Sequence, residues 1–302
     1  MSAPFGRVAV IGLGLIGSSI TRAVQAYLPE VHVSGYDKDM AVRSTARALA
    51  LAEIHDDIAT AVAQAECIIL AVPPGAMESA ACEMAPHIRA DAVISDTGSC
   101  KASVLAALSR ALPDHIIIPA HPVAGTEQSG PEAGFGTLFQ NRWCILTPPA
   151  DTDATQVERL ATFWQALGAN VEVMDAQHHD LVLAVTSHLP HLIAYTIVGT
   201  ADDLADVTES EVIKFSAGGF RDFTRIAASD PTMWRDVFLN NRDAVLEMLQ
   251  RFTEDLTGLQ RAIRLGDGEQ LYAHFARTRA IRRGIIDQGQ DDARPDFGRE
   301  HN

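Results

Sequence analysis

Apolar and polar positions follow two regimes along this chain, and the change comes near Met174. Before it, short strand-like segments recur at residues 7–11, 31–36, 67–72, 92–96, 116–118, 143–146 and 170–174, and those at 8–11, 67–72, 116–118 and 143–146 are unbroken apolar runs. Runs that do not alternate with polar residues read as strands buried on both faces of a parallel sheet. Segments with helical spacing lie between several of them, so strand and helix alternate. After Met174 the strand pattern stops. Residues 178–200 are apolar with helical spacing, interrupted at Pro190, and residues 232–263 and 271–286 keep the same period. Asp175 reads as a helix cap, and Ser229-Asp230-Pro231 as a helix start. The expectation is an α/β chain: a doubly wound, mainly parallel sheet over residues 1–173, then an all-helical domain over 174–302. The polar tail at 288–302 reads as frayed.

The first run leads straight into Gly12-Leu13-Gly14-Leu15-Ile16-Gly17 and then a helix-spaced segment. Gly12 serves the tight turn, Gly14 the approach of a pyrophosphate to the backbone, and Gly17 the close packing of helix on strand. The helix N-terminus, from Leu15 and Ile16, offers unpaired N–H groups to phosphate. The second run ends at Asp37, about twenty residues past the last glycine, where a carboxylate accepts from a ribose 2′-hydroxyl. This is a Rossmann dinucleotide site. Asp37 favours NAD, while the nearby Lys38 and Arg43 keep NADP open. In such sheets ligands sit at the carboxyl ends of the strands. Val72-Pro73, Thr97-Gly98-Ser99 and His121 all fall at that edge.

Composition narrows the partners. The 302 residues carry a net charge of −15, which repels nucleic acid and anionic lipid. No unbroken apolar run reaches the roughly 18 residues of a membrane span, and no secretory signal is read at the N-terminus. Cys67, Cys82, Cys100 and Cys144 lack metal or redox spacing and read as reduced thiols of a cytoplasmic protein. His188 and His191 have the i, i+3 spacing of a metal pair, but no cysteine or carboxylate completes a set, so no metal is expected. His121 stands in a small-residue loop, His121-Pro122-Val123-Ala124-Gly125-Thr126-Glu127, directly after the run at 116–118. An imidazole there suits proton removal coupled to hydride transfer; the alternative is a histidine that only braces its loop.

These segments, with Asp96-Thr97-Gly98-Ser99, Ser187-His188-Leu189-Pro190-His191 and the stretch from Gly218 through Arg225 to Asp236, resemble the prephenate and arogenate dehydrogenases of tyrosine biosynthesis along nearly the whole chain. The resemblance implies oxidative decarboxylation of prephenate, arogenate or both, with NAD or NADP as acceptor. It implies His121 as partner of the substrate hydroxyl. It implies Ser99 as the serine that orients this histidine, although Ser99 reads equally as a helix cap. Arg225 becomes the anchor for a substrate carboxylate, because a guanidinium binds it bidentately. Arg221 is a weaker candidate. His191 falls near the substrate side chain, and Thr126, Gly219 and Trp234 fall on the pocket wall; Trp234 reads equally as core. Asp222 and Glu127 are suspects for substrate choice. The apolar helical half suggests a homodimer, and inhibition by tyrosine stays open. Two alternatives remain. One is a β-hydroxyacid or 6-phosphogluconate type dehydrogenase, which needs a lysine in the helical half. The other is a silent NAD-binding regulatory protein.

Overall fold

The computed structural model describes residues 3–126, 128–203 and 218–287. Glu127 and the tail at 288–302 lie outside the described residues. The described chain forms two compact units, divided between Leu246 and Glu247.

The first unit opens with β1 (Arg7–Ile11), α1 (Leu15–Tyr27), β2 (His32–Tyr36), α2 (Met40–Ala48), β3 (Glu53–Ile54) and α3 (Ile58–Val62). β4 (Cys67–Leu70), α4 (Met77–Met84), β5 (Val93–Asp96), α5 (Ala102–Ala111) and β6 (Ile116–Ile117) follow. The six strands pair in the order β3-β2-β1-β4-β5-β6, all parallel. β1 explains the unbroken apolar runs. Its Val8 and Val10 belong to one core cluster and its Ala9 and Ile11 to another, so each face of the sheet is covered.

Two strand expectations need correction. The runs at 143–146 and 170–173 do not extend the parallel sheet. β7 (Ala120–Pro122), β8 (Trp143–Leu146) and β9 (Asn170–Val173) form a separate three-stranded sheet, with β7 antiparallel to β8. His121 therefore stands within a short strand rather than in the loop beyond one. The two-residue β3 is too short to leave a periodic signal. α6 (Ala154–Ala166) packs on this second sheet.

The helical part begins where expected. Asp175 caps α7 (Ala176–Leu183) by accepting from the N–H groups of Gln177 and His178. The break read at Pro190 is a π-helical turn, Ala184–His188, immediately before α8 (Leu189–Asp203). Such turns often mark functional positions. α9 (Gly218–Thr224) continues as a 3₁₀ turn, Arg225–Ala228. Asp230 caps α10 (Pro231–Asn240). α11 (Arg242–Leu265) and α12 (Gly268–Asp287) complete the described chain. The helix from Ala176 to Asp203 is long and apolar enough to cross a membrane by length and composition alone. Yet His179, Asp180 and His188 lie buried along it, which marks it as a helix that carries polar machinery.

The glycine turn is tight in the way its sequence predicts. Gly12 has φ +95, and a Cβ there would stand 2.4 Å from the carbonyl oxygen of Ala71. A Cβ on Gly17 would stand 1.9 Å from the carbonyl oxygen of Gly12. Backbone cannot yield as a side chain does, so Gly17→Ala should cost about 1–3 kcal/mol or more in stability. The thermal midpoint of the variant checks this; an unchanged midpoint contradicts it.

Candidate active site

The carboxyl edge of the sheet is held in line by backbone bonds. Gly12 N–H donates to Tyr36, Ala71 N–H to Ile11 and Thr97 N–H to Leu70. This brings the glycine turn, the Val72-Pro73 turn and the Thr97-Gly98-Ser99 turn to one side. The glycine turn fits a dinucleotide. No side chain caps α1, and a Cβ on Gly14 would meet nothing within 4 Å, so the first turn of α1 leaves room for a phosphate group. The Asp37 carboxylate is fixed by accepting from Leu13 N–H at 2.8 Å and Asp39 N–H at 2.9 Å. Each oxygen keeps a lone pair for a ribose hydroxyl. Arg43 is committed elsewhere. It donates to the carbonyls of Asp37 and Lys38, lies 3.5 Å from Asp56 and stacks over Tyr36.

His121 is tied to this edge by a buried ion pair. Lys101 and Asp96 are both fully buried and paired. Burial pushes the Asp96 carboxyl up, and the Lys101 ammonium opposes that shift. Asp96 also accepts from Gly98 N–H at 2.7 Å and from Ala120 N–H at 3.2 Å, while Lys101 donates to the Ala120 carbonyl at 2.7 Å. One pair thus clasps the turn that carries Ser99 to the strand that carries His121. Breaking such a pair from one side costs about 3–5 kcal/mol, because the other charge is stranded.

Behind His121 lies a chain of three groups. Its Nδ1 meets Nε2 of His179 at 2.8 Å, and His179 Nδ1 meets the Asp180 carboxylate at 2.9 Å. A carboxylate only accepts, so His179 carries its proton on Nδ1 and presents a lone pair at Nε2. His121 must then donate from Nδ1, which leaves the lone pair on its own Nε2. The reverse assignment would aim lone pairs at each other in a buried site, at about 1–3 kcal/mol per unmade bond. Asp180 is fixed in turn. Its two oxygens accept from the N–H groups of Lys101 at 2.7 Å and Ala102 at 2.9 Å, so it caps α5 from a distance. Ser99, half-buried, is therefore not the cap of that helix; the helix starts at Ala102 with Lys101 at the cap position. No Ser99–His121 hydrogen bond is present among the described residues.

Beside this chain sits an aromatic cluster. His191 stacks on Trp234 with centroids 3.7 Å apart, and His188 meets the same indole edge-on at 6.1 Å. The His191 Nδ1 bonds the Ser187 carbonyl at 2.8 Å. Asn241 donates to the Asp180 carbonyl at 2.8 Å and meets His188 Nδ1 at 3.0 Å. The 3₁₀ turn that begins at Arg225 packs against α8, and burial, with a smaller contribution from the Arg225 charge, lowers the His191 pKa. Arg221 is exposed on α9, as is Gly219, where a Cβ would meet nothing within 4 Å. Thr126 is exposed in its loop and accepts from Gln128 N–H at 3.2 Å. Among the described residues no group of three potential ligands could hold a metal.

Sequence reasoning passed over Lys101, His179, Asp180 and Asn241 as supports. A signal existed for two of them. Ala176, His179, Asp180 and Leu183 have the spacing of one helix face, so the polar pair had to share an inward face with apolar neighbours.

Comparison with known proteins identifies the family. Residues 20–173 match the family model described as prephenate dehydrogenase, nucleotide-binding domain, and residues 175–277 the one described as prephenate dehydrogenase, dimerization domain. A cyclohexadienyl dehydrogenase of Zymomonas mobilis is 47% identical over 292 residues, which cover 96% of this chain and 99% of that protein. A prephenate dehydrogenase of Bacillus subtilis is 32% identical, with 92% of this chain and 76% of that protein covered. The crystal structure of prephenate dehydrogenase from A. aeolicus in complex with hydroxyphenyl propionate and NAD+ superposes with a TM-score of 0.86 at 31% identity, over 92% of this chain and 98% of that one.

Two outcomes follow from the geometry. Asp180→Asn removes the acceptor that sets the chain of tautomers and should lower kcat by about 10²-fold or more with NAD affinity kept; a kcat within threefold of the unaltered protein would contradict it. Burial lowers the pKa of His121, His179 and His188, in the last case to about 4. Each binds a proton on unfolding at a pH where the folded form does not. Stability should therefore begin to fall as pH drops below 6.5, and the His188 share is fully lost near pH 4. Urea midpoints from pH 8 to pH 4 check the sign; a midpoint that rises toward pH 5 refutes it.

Proposed function

The chain belongs to the prephenate dehydrogenase family, and on that premise we propose that it oxidatively decarboxylates prephenate, arogenate or both in tyrosine biosynthesis, with NAD as acceptor. The observation that carries this reading is the fixed lone pair on His121. Bound nicotinamide supplies the hydride acceptor, held by the turn from Gly12 to Gly17 and by Val72, Pro73, Thr97 and Gly98. As hydride leaves the carbon bearing the 4-hydroxyl, His121 Nε2 takes the hydroxyl proton. The ring carboxylate then departs as CO2, its bonding electrons aromatise the ring, and His121 returns the proton to the phenolate oxygen. The low pKa of His121 keeps the base unprotonated at neutral pH. Ser99 orients the hydroxyl.

Arg225 anchors the side-chain carboxylate, with His191, Thr126, Gly219 and Trp234 around it. The net charge of −15 opposes an anionic substrate only at long range. Screening confines each charge to about 10 Å at ordinary ionic strength, so the local guanidinium decides. Asp37 and the committed Arg43 support NAD over NADP, because a 2′-phosphate would face a carboxylate while Arg43 is engaged elsewhere; the exposed Lys38 is the neighbouring cation that favours NADP. The helix from Ala176 to Asp203 offers Ser187 and His188 but no lysine, which disfavours a β-hydroxyacid mechanism, and His121, Ser99 and Arg225 are retained together, which disfavours a catalytically silent protein.

Residues 1–173 form the cofactor part and 174–302 the substrate and dimer part. The match to a dimerization domain, with Leu181, Val185, Ile197 and Val198 exposed along the helix from Ala176 to Asp203, supports a homodimer. Four free cysteines fit a reducing cytoplasm.

The deciding experiment follows reduction of NAD and of NADP with prephenate and arogenate in parallel. NAD-linked turnover with at least one of them is expected, falling about 10²-fold or more in His121→Asn. Inertness toward both acids, or a clear preference for NADP, would overturn the corresponding part of the reading.

A further inference from the structure

One carboxylate from the helical part reaches the cofactor edge of the sheet. Asp236 lies on α10, and α10 packs on the turn Pro74–Ala76 that follows β4. A Cβ on Gly75 would stand 3.0 Å from Oδ2 of Asp236, 3.5 Å from its Cγ and 3.9 Å from Oδ1. The carboxylate therefore rests on the bare face of Gly75, with Oδ2 foremost. Gly75 is not one of the glycines with positive φ, so it is the close approach of Asp236, not the backbone angle, that excludes a side chain there.

The carboxylate is held in place but only half used. Oδ1 accepts from Arg235 Nε at 2.9 Å and from Arg235 Nη2 at 2.7 Å. Oδ2 has no donor among the described residues, although the side chain is only 12% exposed. It is nevertheless open to solvent, in contrast to the sealed Nε2 of His188. The helix beneath it is fixed. Tyr195 donates to the Ser229 carbonyl at 2.8 Å just before α10, and Cys100 Sγ meets the Val237 carbonyl at 3.6 Å. A charged oxygen largely withdrawn from water costs free energy until a donor reaches it.

Topology says which donor comes near, on the premise of the NAD site proposed above. The sheet order places β1 between β2 and β4. Asp37, at the end of β2, takes the adenosine ribose, and the glycine turn after β1 takes the pyrophosphate. The dinucleotide crosses the switch point between β1 and β4, so the turn after β4 lies along its nicotinamide half. The part of that half next to the pyrophosphate is the second ribose, whose two hydroxyls can donate. A carboxylate only accepts, so the two chemistries match. We propose that Asp236 is a cofactor-binding residue whose Oδ2, seated on Gly75, receives a hydroxyl of the nicotinamide ribose. The helical part thereby completes the cofactor site, and Asp236 does at the second ribose what Asp37 does at the first.

Isothermal titration calorimetry without substrate tests this with three ligands that extend to different points. ADP ends at the pyrophosphate, ADP-ribose adds the second ribose, and NAD adds the nicotinamide ring. Asp236→Ala should weaken ADP-ribose and NAD about tenfold or more, the scale of a hydrogen bond to a charged group, and leave ADP within about twofold. Gly75→Ala should give the same pattern by a second route, because its Cβ displaces the carboxylate without removing it. Equal weakening of all three ligands would mean that α10 only braces the turn, and undiminished binding of all three that Oδ2 meets no ligand. Either result overturns the proposal, as does a loss for NAD with none for ADP-ribose, which would put Oδ2 on the nicotinamide amide. If the unaltered protein binds neither ADP nor NAD, the cofactor reading itself fails, a result obtained before any variant is made.

Discussion

One carboxylate sets the order of the site. Asp180 can only accept, and it accepts from His179 on one side and from the first turn of α5 on the other. The first bond decides where two successive imidazoles carry their protons. The second holds the α5 end, which follows the Ser99 turn, in register with the helix that brings His179. A net hydrogen bond contributes only about 1 kcal/mol, but an unmade one in a buried site costs more. The arrangement therefore has one low-energy proton pattern rather than several, and it leaves His121 with its lone pair on Nε2.

The buried Lys101–Asp96 pair does for position what Asp180 does for protons. It joins the end of β5 to the strand that carries His121, by way of both backbone groups of Ala120. Ion pairs this deep rarely add stability compared with apolar packing. Their use here is geometric, since three chain segments meet at one ammonium and one carboxylate. The same site holds three neutral buried histidines, so its catalytic readiness comes at the expense of stability in acid.

The chain announced its fold at the level of periodicity. Unbroken apolar runs and the Gly12–Gly17 turn imply a parallel sheet that binds a dinucleotide, and the caps at Asp175 and Asp230 stand where side-chain chemistry puts them. The split into two sheets was hidden. An apolar run does not name its partner: β8 pairs with β7 and β9 in a second sheet under α6 rather than with β6, and β9 is largely exposed. At the site, His121 was legible because a titratable residue interrupts small and apolar neighbours at a strand end. His179 and Asp180 were harder to see, because adjacent polar residues near a helix start look like solvated surface unless the helical period is followed through them. Asn241 falls at the break between α10 and α11 and reaches Asp180 and His188 across the fold, a relation no local pattern encodes.

The central claim is a proton pattern, and nitrogen-15 NMR of the histidine side chains reads it directly. Near neutral pH the account predicts His121 and His179 both neutral and both protonated on Nδ1, with the His121 Nε2 showing the shift of an unprotonated nitrogen, and with that pattern lost in Asp180→Asn. A His121 ring protonated on Nε2, or carrying both protons at pH 7, would contradict it.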